Sequence, residues 1–203
     1  SSSLQINNAG SFSVSGVLSG TGDFTKSGSG TLSLLGANTF TGSTTITAGT
    51  LQLDGTLNDL TDVDIQSGAT YDVNATDTVN TVSGQGNLDI ASSKSLTTGD
   101  SGNDELSGSL SGSGSLQKAG SGTLTLSGTN TTYAGNISVN TGTLIASSAS
   151  ALGLSSGSTT VGSGATLQIN DGYTISDQLN LSGTGVGSIG ALNFASGSST
   201  ISG

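Results

Sequence analysis

The sequence contains no cysteine, proline, histidine, methionine or tryptophan, and its three basic residues are all lysines: Lys26, Lys94 and Lys118. Each absence excludes something. Without cysteine there can be no disulfide, so backbone hydrogen bonds and packing must hold the chain; this alone assigns no compartment. Without proline, no residue interrupts a β-ladder from within. Without histidine, the usual base that activates a nucleophilic serine is missing. With so few lysines the net charge is −10, which argues against nucleic acid and anionic membranes, since both need basic patches. No apolar run approaches the roughly 20 residues of a membrane-spanning helix. No basic and apolar signal segment opens the chain. The start at Ser1-Ser2-Ser3, without Met, suits an excised fragment or a processed product.

What is present is 34 glycines and an abundance of Ser, Thr, Asn, Leu, Ile and Val in 203 residues, a length compatible with one domain. Gly and Ser richness is also the signature of flexible linkers. Disordered chains, however, are usually highly charged, and here charged residues are only 8%. An apolar content of 31% is thin for a round globule with a wide core. It suits a narrow core in which each cross-section buries a few side chains, the geometry of a solenoid.

The chain repeats itself. Ser19 to Leu51 reads SGTGDFTKSGSGTLSLLGANTFTGSTTITAGTL, and Ser111 to Leu144 reads SGSGSLQKAGSGTLTLSGTNTTYAGNISVNTGTL, with Thr132 inserted. About half of the aligned positions are identical. The offset is 92 residues from Leu32 to Leu124 and 93 from Leu51 to Leu144. Gly68 to Asn74 aligns with Gly164 to Asn170 at an offset of 96. The drift means small insertions at turns, which loops tolerate cheaply. The chain is therefore read as one solenoid segment, 1–203, built of blocks 19–110 and 111–203.

Within each block a two-residue alternation recurs: Leu32/Leu34, Leu51/Leu53, Tyr71/Val73, Leu88/Ile90, then Leu124/Leu126, Leu167/Ile169 and Leu192/Phe194. Such pairs put two apolar side chains on one face of a short strand and polar ones on the other. The steps from Leu32 to Leu51 to Tyr71 are 19 and 20 residues, and those from Leu124 to Leu144 to Leu167 are 20 and 23. Gly, Ser, Asn and Asp clusters between the pairs punctuate turns. Density of Gly and β-branched residues, without any 3.6-residue stripe, argues against helices. The spacing predicts an all-β, right-handed parallel β-helix of about nine or ten coils of roughly 20 residues, coils stacking at about 4.8 Å into a rod of about 45 Å. Leu32, Leu51 and Tyr71 are expected to form one inward ladder, and Leu124, Leu144 and Leu167 another.

Several motifs invite a chemical reading. Gly99-Asp100-Ser101-Gly102 is similar to the nucleophile segment of trypsin-like serine proteases, but that chemistry needs a histidine. Gly185-Val186-Gly187-Ser188-Ile189-Gly190 matches GxGxxG, yet a dinucleotide site also needs a following helix and an acidic residue about 20 positions on. Lys26-Ser27 and Lys118 lack the second glycine of a phosphate loop. Asp100, Asn103, Asp104 and Glu105 form the densest acidic cluster, with Asp100, Asp104 and Glu105 as calcium candidates. Asp59, Asp62 and Asp64 are a second set, the last two on one strand face. Neither set has the spacing of a calcium loop, so both are read first as solvated loop charge. Paired carboxylates can hydrolyse sugars, but arginine, histidine and tryptophan are missing here. No catalytic residue, cofactor or metal is expected, and the chain is read as non-enzymatic. Phe40 and Tyr133 share one repeat position, as do Phe24 and Leu116, and are expected to fill a turn or the core rather than stack on sugars.

Lys26-Ser27-Gly28-Ser29-Gly30-Thr31-Leu32, followed by Asn38-Thr39-Phe40-Thr41-Gly42, Ile46 and Ala48-Gly49-Thr50-Leu51, resembles the passenger-associated repeat of Gram-negative autotransporters. The second copy runs Lys118-Ala119-Gly120-Ser121-Gly122-Thr123-Leu124, then Asn130, Tyr133, Gly135, Val139 and Thr141-Gly142-Thr143-Leu144. The motif covers about a third of the chain, with over a dozen positions agreeing twice. The resemblance implies a right-handed β-helix, export across the outer membrane, and display at the cell surface or secretion. The family's signal and translocating barrel are not seen in this chain.

Two functions are expected to compete. One is a stalk, spacer or extracellular fibre unit, which suits a sequence of length and repetition without a convergent polar site. The other is an adhesin module for a host-cell, neighbouring-cell or glycan surface, which would normally need inserted loops. Threonine lines such as Thr44-Thr45-Ile46-Thr47 do not repeat strictly enough for an ice lattice. The chain is also expected to continue end to end, with further coils or copies as partners. Leu4-Gln5-Ile6-Asn7 reads like Leu167-Gln168-Ile169-Asn170, and joining Gly203 to Ser1 would place Ser15 26 residues after Leu192, seven more than the equivalent step in the first copy.

Overall fold

Alternating inward Leu, Ile and Val with outward Thr, Ser, Gln and Asp favours extended backbone with one dry face, and the computed structural model shows such strands throughout residues 3–170 and 172–202, the residues it describes. Ser1 and Gly203, whose join the end-to-end expectation invokes, lie outside them, as does Asp171. All strand pairing is parallel, and each strand pairs with one about a coil away in sequence.

Three sheets form the walls. The first has ten strands, beginning with Leu4–Asn7, Phe24–Ser27, Thr44–Ile46, Asp62–Ile65 and Thr81–Gly84. It continues through Asn103–Leu106, Thr123–Leu126, Gly142–Ala146 and Ala165–Ile169 to Leu192–Phe194. Ten strands bound nine coils. The second sheet has six strands, from Phe12–Val14 to Leu110–Gly112, and the third has six, from Asp77–Val79 to Gln178–Leu181. A further pair, Thr174–Ile175 with Thr200–Ile201, takes the second sheet's side in the last coils. Coils run from 19 residues, Thr44 to Val63, to 26, Thr174 to Thr200. No α-helix occurs among the described residues; Val186–Ser188 is a single 3₁₀ turn.

The core is a set of columns rather than a globular centre. Leu32, Leu51 and Tyr71 pair in register, and Leu88 and Leu110 extend the column on the second sheet. Leu124, Leu144, Leu167 and Leu192 form the corresponding column on the first. The members from Leu32 to Leu110, and from Leu124 to Leu167, are all buried. Each contributes roughly 1.5–3 kcal/mol by leaving water. Phe40 and Tyr133 are buried as expected.

The two repeat copies do not occupy the same faces. In the first, Phe24–Ser27 lies in the first sheet and Thr31–Leu34 in the second, and the loop 35–43 crosses the third side. In the second, Ser115–Lys118 lies in the third sheet and Thr123–Leu126 in the first, and the loop 127–136 crosses the second side. From Phe24–Ser27, four coils lead to Asn103–Leu106, and two further sides, Leu110–Gly112 and Ser115–Lys118, reach the second copy. The block is thus four coils and two sides long, so duplication turns it by one face.

Candidate functional site

The features that recur in both copies lie at the corners and loops, where the chain leaves a sheet and its backbone groups lose their ladder partners. Such groups need substitutes. At the first corner Lys26 alternates with Phe24 and points inward, fully buried. Its Nζ donates to Ser27 O (3.0 Å), Gly28 O (2.8 Å) and Ala48 O (3.0 Å). Lys118 repeats the arrangement, donating to Ala119 O, Gly120 O (3.0 Å) and Thr141 O (3.4 Å). An ammonium has three donors, and both lysines use all of them to close a corner and tie it to the next coil. Burial lowers the pKa of both; Asp104 and Asp100 oppose that shift at Lys118. The glycines of the motif follow. Gly28 and Gly120 turn with positive φ, +80° and +68°. A Cβ at Gly30 or Gly122 would run into Gly10 O or Gly102 O of the preceding coil.

The loops carry a second recurrent device. Asn38 is buried, accepts Leu18 N–H on Oδ1 (3.0 Å) from the coil before, and donates to Thr56 O (3.0 Å) of the coil after. Asn130 does the same with Leu110 N–H (2.7 Å) and Ala151 O (2.7 Å). One carboxamide therefore bridges three coils. The ring beside it varies: Phe40 packs on Phe24 with centroids 5.8 Å apart. In the second copy Tyr133 faces Leu116, its hydroxyl accepting Leu116 N–H (3.1 Å) and lying 2.9 Å from Gly114 O.

Asp77 substitutes for such an asparagine. It begins the third sheet on an inward position, and its Oδ2 accepts Leu57 N–H (3.1 Å) from the coil before. Burial raises its carboxyl pKa to about 6, against backbone hydrogen bonds from Leu57 and Thr78, with Asp59 adding repulsion. The folded chain then holds this proton more tightly than the unfolded chain, so between about pH 4 and 6 stability falls as pH rises. Asp77→Asn should keep the acceptor, lose the buried charge, and stabilise the fold at pH 7 by about 1–2 kcal/mol. Urea midpoints at pH 7 and pH 4 test this: the gain should shrink at pH 4, and a gain equal at both would show that ionisation is not its source.

The acidic candidates are not gathered into a site. Asp104 and Glu105 are neighbours on the strand Asn103–Leu106 and point to opposite faces. Asp104 faces inward beside Leu124 in register, and its pKa is raised by burial and by Asp100 and Asp62, against Lys118. Glu105 faces out and accepts Ser127 Oγ–H, while Asp100 accepts Gly102 N–H. Asp62 and Asp64 do share the outer face of their strand; Asp62 accepts from Asn80 Nδ2 (2.7 Å) and Thr81 Oγ (2.9 Å), and Asp64 from Gln66. Asp59 lies in the preceding loop, against the hollow formed by Ala37, Asn38 and Leu57. Among the described residues no three His, Cys, Asp or Glu side chains are grouped to hold a metal ion. Ser101 lies exposed in a turn, and Gly185–Gly190 forms the 3₁₀ turn without a following α-helix among the described residues.

Stacked parallel coils with corner motifs repeated at a fixed interval define a β-solenoid repeat protein. Residues 24–53 and 116–146 match the family model of the passenger-associated-transport-repeat. The chain thus carries two such repeats, and together with the solenoid they are consistent with an autotransporter passenger region, which is displayed at the cell surface or secreted. No curated protein and no solved structure matches the chain. The family match begins on the strand that carries each lysine, Phe24–Ser27 or Ser115–Lys118, and ends on the strand that follows the next coil's corner to which the lysine donates, Thr50–Leu53 or Gly142–Ala146.

Proposed function

We propose that this segment is a structural rod, a stalk, spacer or fibre unit of a surface-displayed or secreted passenger, continued at its ends by further solenoid coils, and that it catalyses nothing. The observation that carries the reading is where the polar investment goes. Lys26, Lys118, Asn38, Asn130 and Asp77 all point inward and bind backbone groups of their own or adjacent coils. Their hydrogen bonds join coils rather than converge on a cleft. A first sheet of ten parallel strands gives the rod a continuous wall. No helix among the described residues is long and apolar enough to cross a membrane.

A specific observation favours adhesion as the second reading. The outward column of the third sheet, Thr78, Thr97, Gln117, Ser138, Thr160 and Asn180, is wholly hydroxyl or carboxamide, a flat uncharged strip along the rod. Small-angle scattering and one set of assays separate the readings. The structural reading expects an elongated particle, no turnover of glycans, esters, peptides or nucleotides, and no saturable binding to glycans or cells. Turnover abolished by one carboxylate substitution would overturn it. Saturable binding lost with Thr97→Lys would favour adhesion.

A further inference from the structure

The coils that begin at Phe24 and Thr44 hold an apolar hollow in acidic surroundings. The loop 54–61 crosses the third side between the strands Thr50–Leu53 and Asp62–Ile65, beside the loop 35–43 of the coil before. Together they form an open hollow of about 560 Å³, whose lining includes Ala37, Thr39, Leu57, Asn58, Asp59 and Leu60. The hollow lies within the stack: Thr39 N–H donates to Leu18 O (2.8 Å) of the coil before, and Leu57 N–H to Asp77 Oδ2 (3.1 Å) of the coil after. Leu60 is 69% exposed, yet its turn is fixed, since its N–H donates to Asn58 Oδ1 (3.0 Å) and Thr61 N–H to Asn58 O (2.9 Å). We propose that this hollow is a docking site for a cationic segment of a partner protein, which lays an apolar side chain against Leu57 and Leu60 and a lysine or arginine beside Asp59. The site does not depend on whether the rod is a stalk or an adhesin.

Charge selects that occupant. Between Lys26 and Lys94 the charged residues are Asp54, Asp59, Asp62, Asp64, Asp72, Asp77 and Asp89, all acidic. Lys26 offers no counterweight at the surface, being buried with all three donors on carbonyls. Asp59 stands exposed on the lining, and its charge reaches the buried Asp77, adding to the rise in pKa that burial causes there. Asp89 and Asp54 likewise add to the burial that raises the pKa of Asp72. A cation brought to this loop is attracted by several carboxylates at once. Ala37, Leu57 and Leu60 offer nothing to a metal ion or a bare polyamine, whereas an apolar side chain would cover them. The second repeat lacks the combination. Asn38 donates to Thr56 O and Asn130 to Ala151 O, so Leu152 stands where Leu57 does. Leu154 beyond it is 43% exposed, but no residue from Ala119 to Asn170 is charged.

The test titrates the whole chain into a labelled synthetic peptide that alternates lysine and leucine, and into one that alternates lysine and serine, with fluorescence anisotropy as the readout. Three variants at exposed side chains, Leu60→Ser, Asp59→Lys and Leu154→Ser, are first checked for folding by circular dichroism. The lysine–leucine peptide should bind saturably, and about tenfold more tightly than the lysine–serine peptide. Leu60→Ser and Asp59→Lys should each weaken it by about tenfold, and Leu154→Ser should leave it unchanged. Equal binding of the two peptides would mean that only the net charge of the rod attracts them, and would overturn the proposal. Loss of binding in Leu154→Ser equal to that in Leu60→Ser would place the contact elsewhere and overturn it too, as would binding that never saturates.

Discussion

Leu124→Asp is expected to destabilise the protein by about 3–5 kcal/mol, because it buries a charge without a partner in a core one side chain deep. Leu124 is 2% exposed and lies between Asp104 and Leu144 in the inward column of the first sheet. The new carboxylate would face Asp104, already half-buried with a raised pKa, across adjacent strands about 4.8 Å apart. Two carboxylates at that separation oppose each other's ionisation, so part of the loss should return as pH falls. At roughly 2–4 °C per kcal/mol, the melting midpoint should drop by about 10 °C. Thr125→Asp, one residue on and facing outward, is the control and should shift it little. Equal shifts for the two variants, or a Leu124→Asp midpoint within a degree or two of the parent, would mean that the strand's inward face is wrongly assigned.

That contrast rests on the part of the structure most legible in the sequence. A two-residue alternation and a 20-residue step are local signals, and they placed Leu32 beside Leu51 and Leu51 beside Tyr71, the pairs observed. The turn of one face between copies was less apparent, though its signal was present: an offset of 92 residues is not a whole number of 20-residue coils. The lysine corners were missed because a basic residue beside a glycine turn reads as solvated. The available clue was parity, since Lys26 falls two residues after Phe24 and so on the same face. Asp104 and Glu105 looked like one cluster because their strand, Asn103–Leu106, has a single inward apolar residue, Leu106, and reads as a loop. Asp77 could not be read at all, since its role depends on Leu57 N–H in a loop 20 residues earlier.

Lys26→Met should destabilise the chain by about 2–4 kcal/mol although it makes the interior less polar. Methionine nearly preserves the buried stem, so the change isolates the ammonium. Relief of the ammonium's desolvation favours the variant, since replacing buried charge with apolar groups can be neutral when the whole ion pair is removed. Here only one side is removed. Gly28 O and Ala48 O remain at a corner where no main-chain N–H reaches them, each costing about 1–3 kcal/mol if left unpaired, whereas Ser27 O keeps the Asn8 N–H (3.1 Å) of the preceding coil. Lys118→Met should behave alike at acid pH and worse at neutral pH, because Lys118 also lowers the pKa of the half-buried Asp104. Without that charge the pKa of Asp104 rises further. The added cost is then present where Asp104 is ionised and lost as pH falls and it protonates. No ionised carboxylate shifts the Lys26 pKa, so the loss in Lys26→Met should vary little from pH 4 to 7. The lysines are separated by four coils and two sides, so the double variant should lose the sum of the two. Urea titrations of the three variants at pH 4 and pH 7 check each part. A Lys26→Met midpoint equal to the parent's would show that the carbonyls find other donors, and that the lysine of the repeat is not what closes its corner.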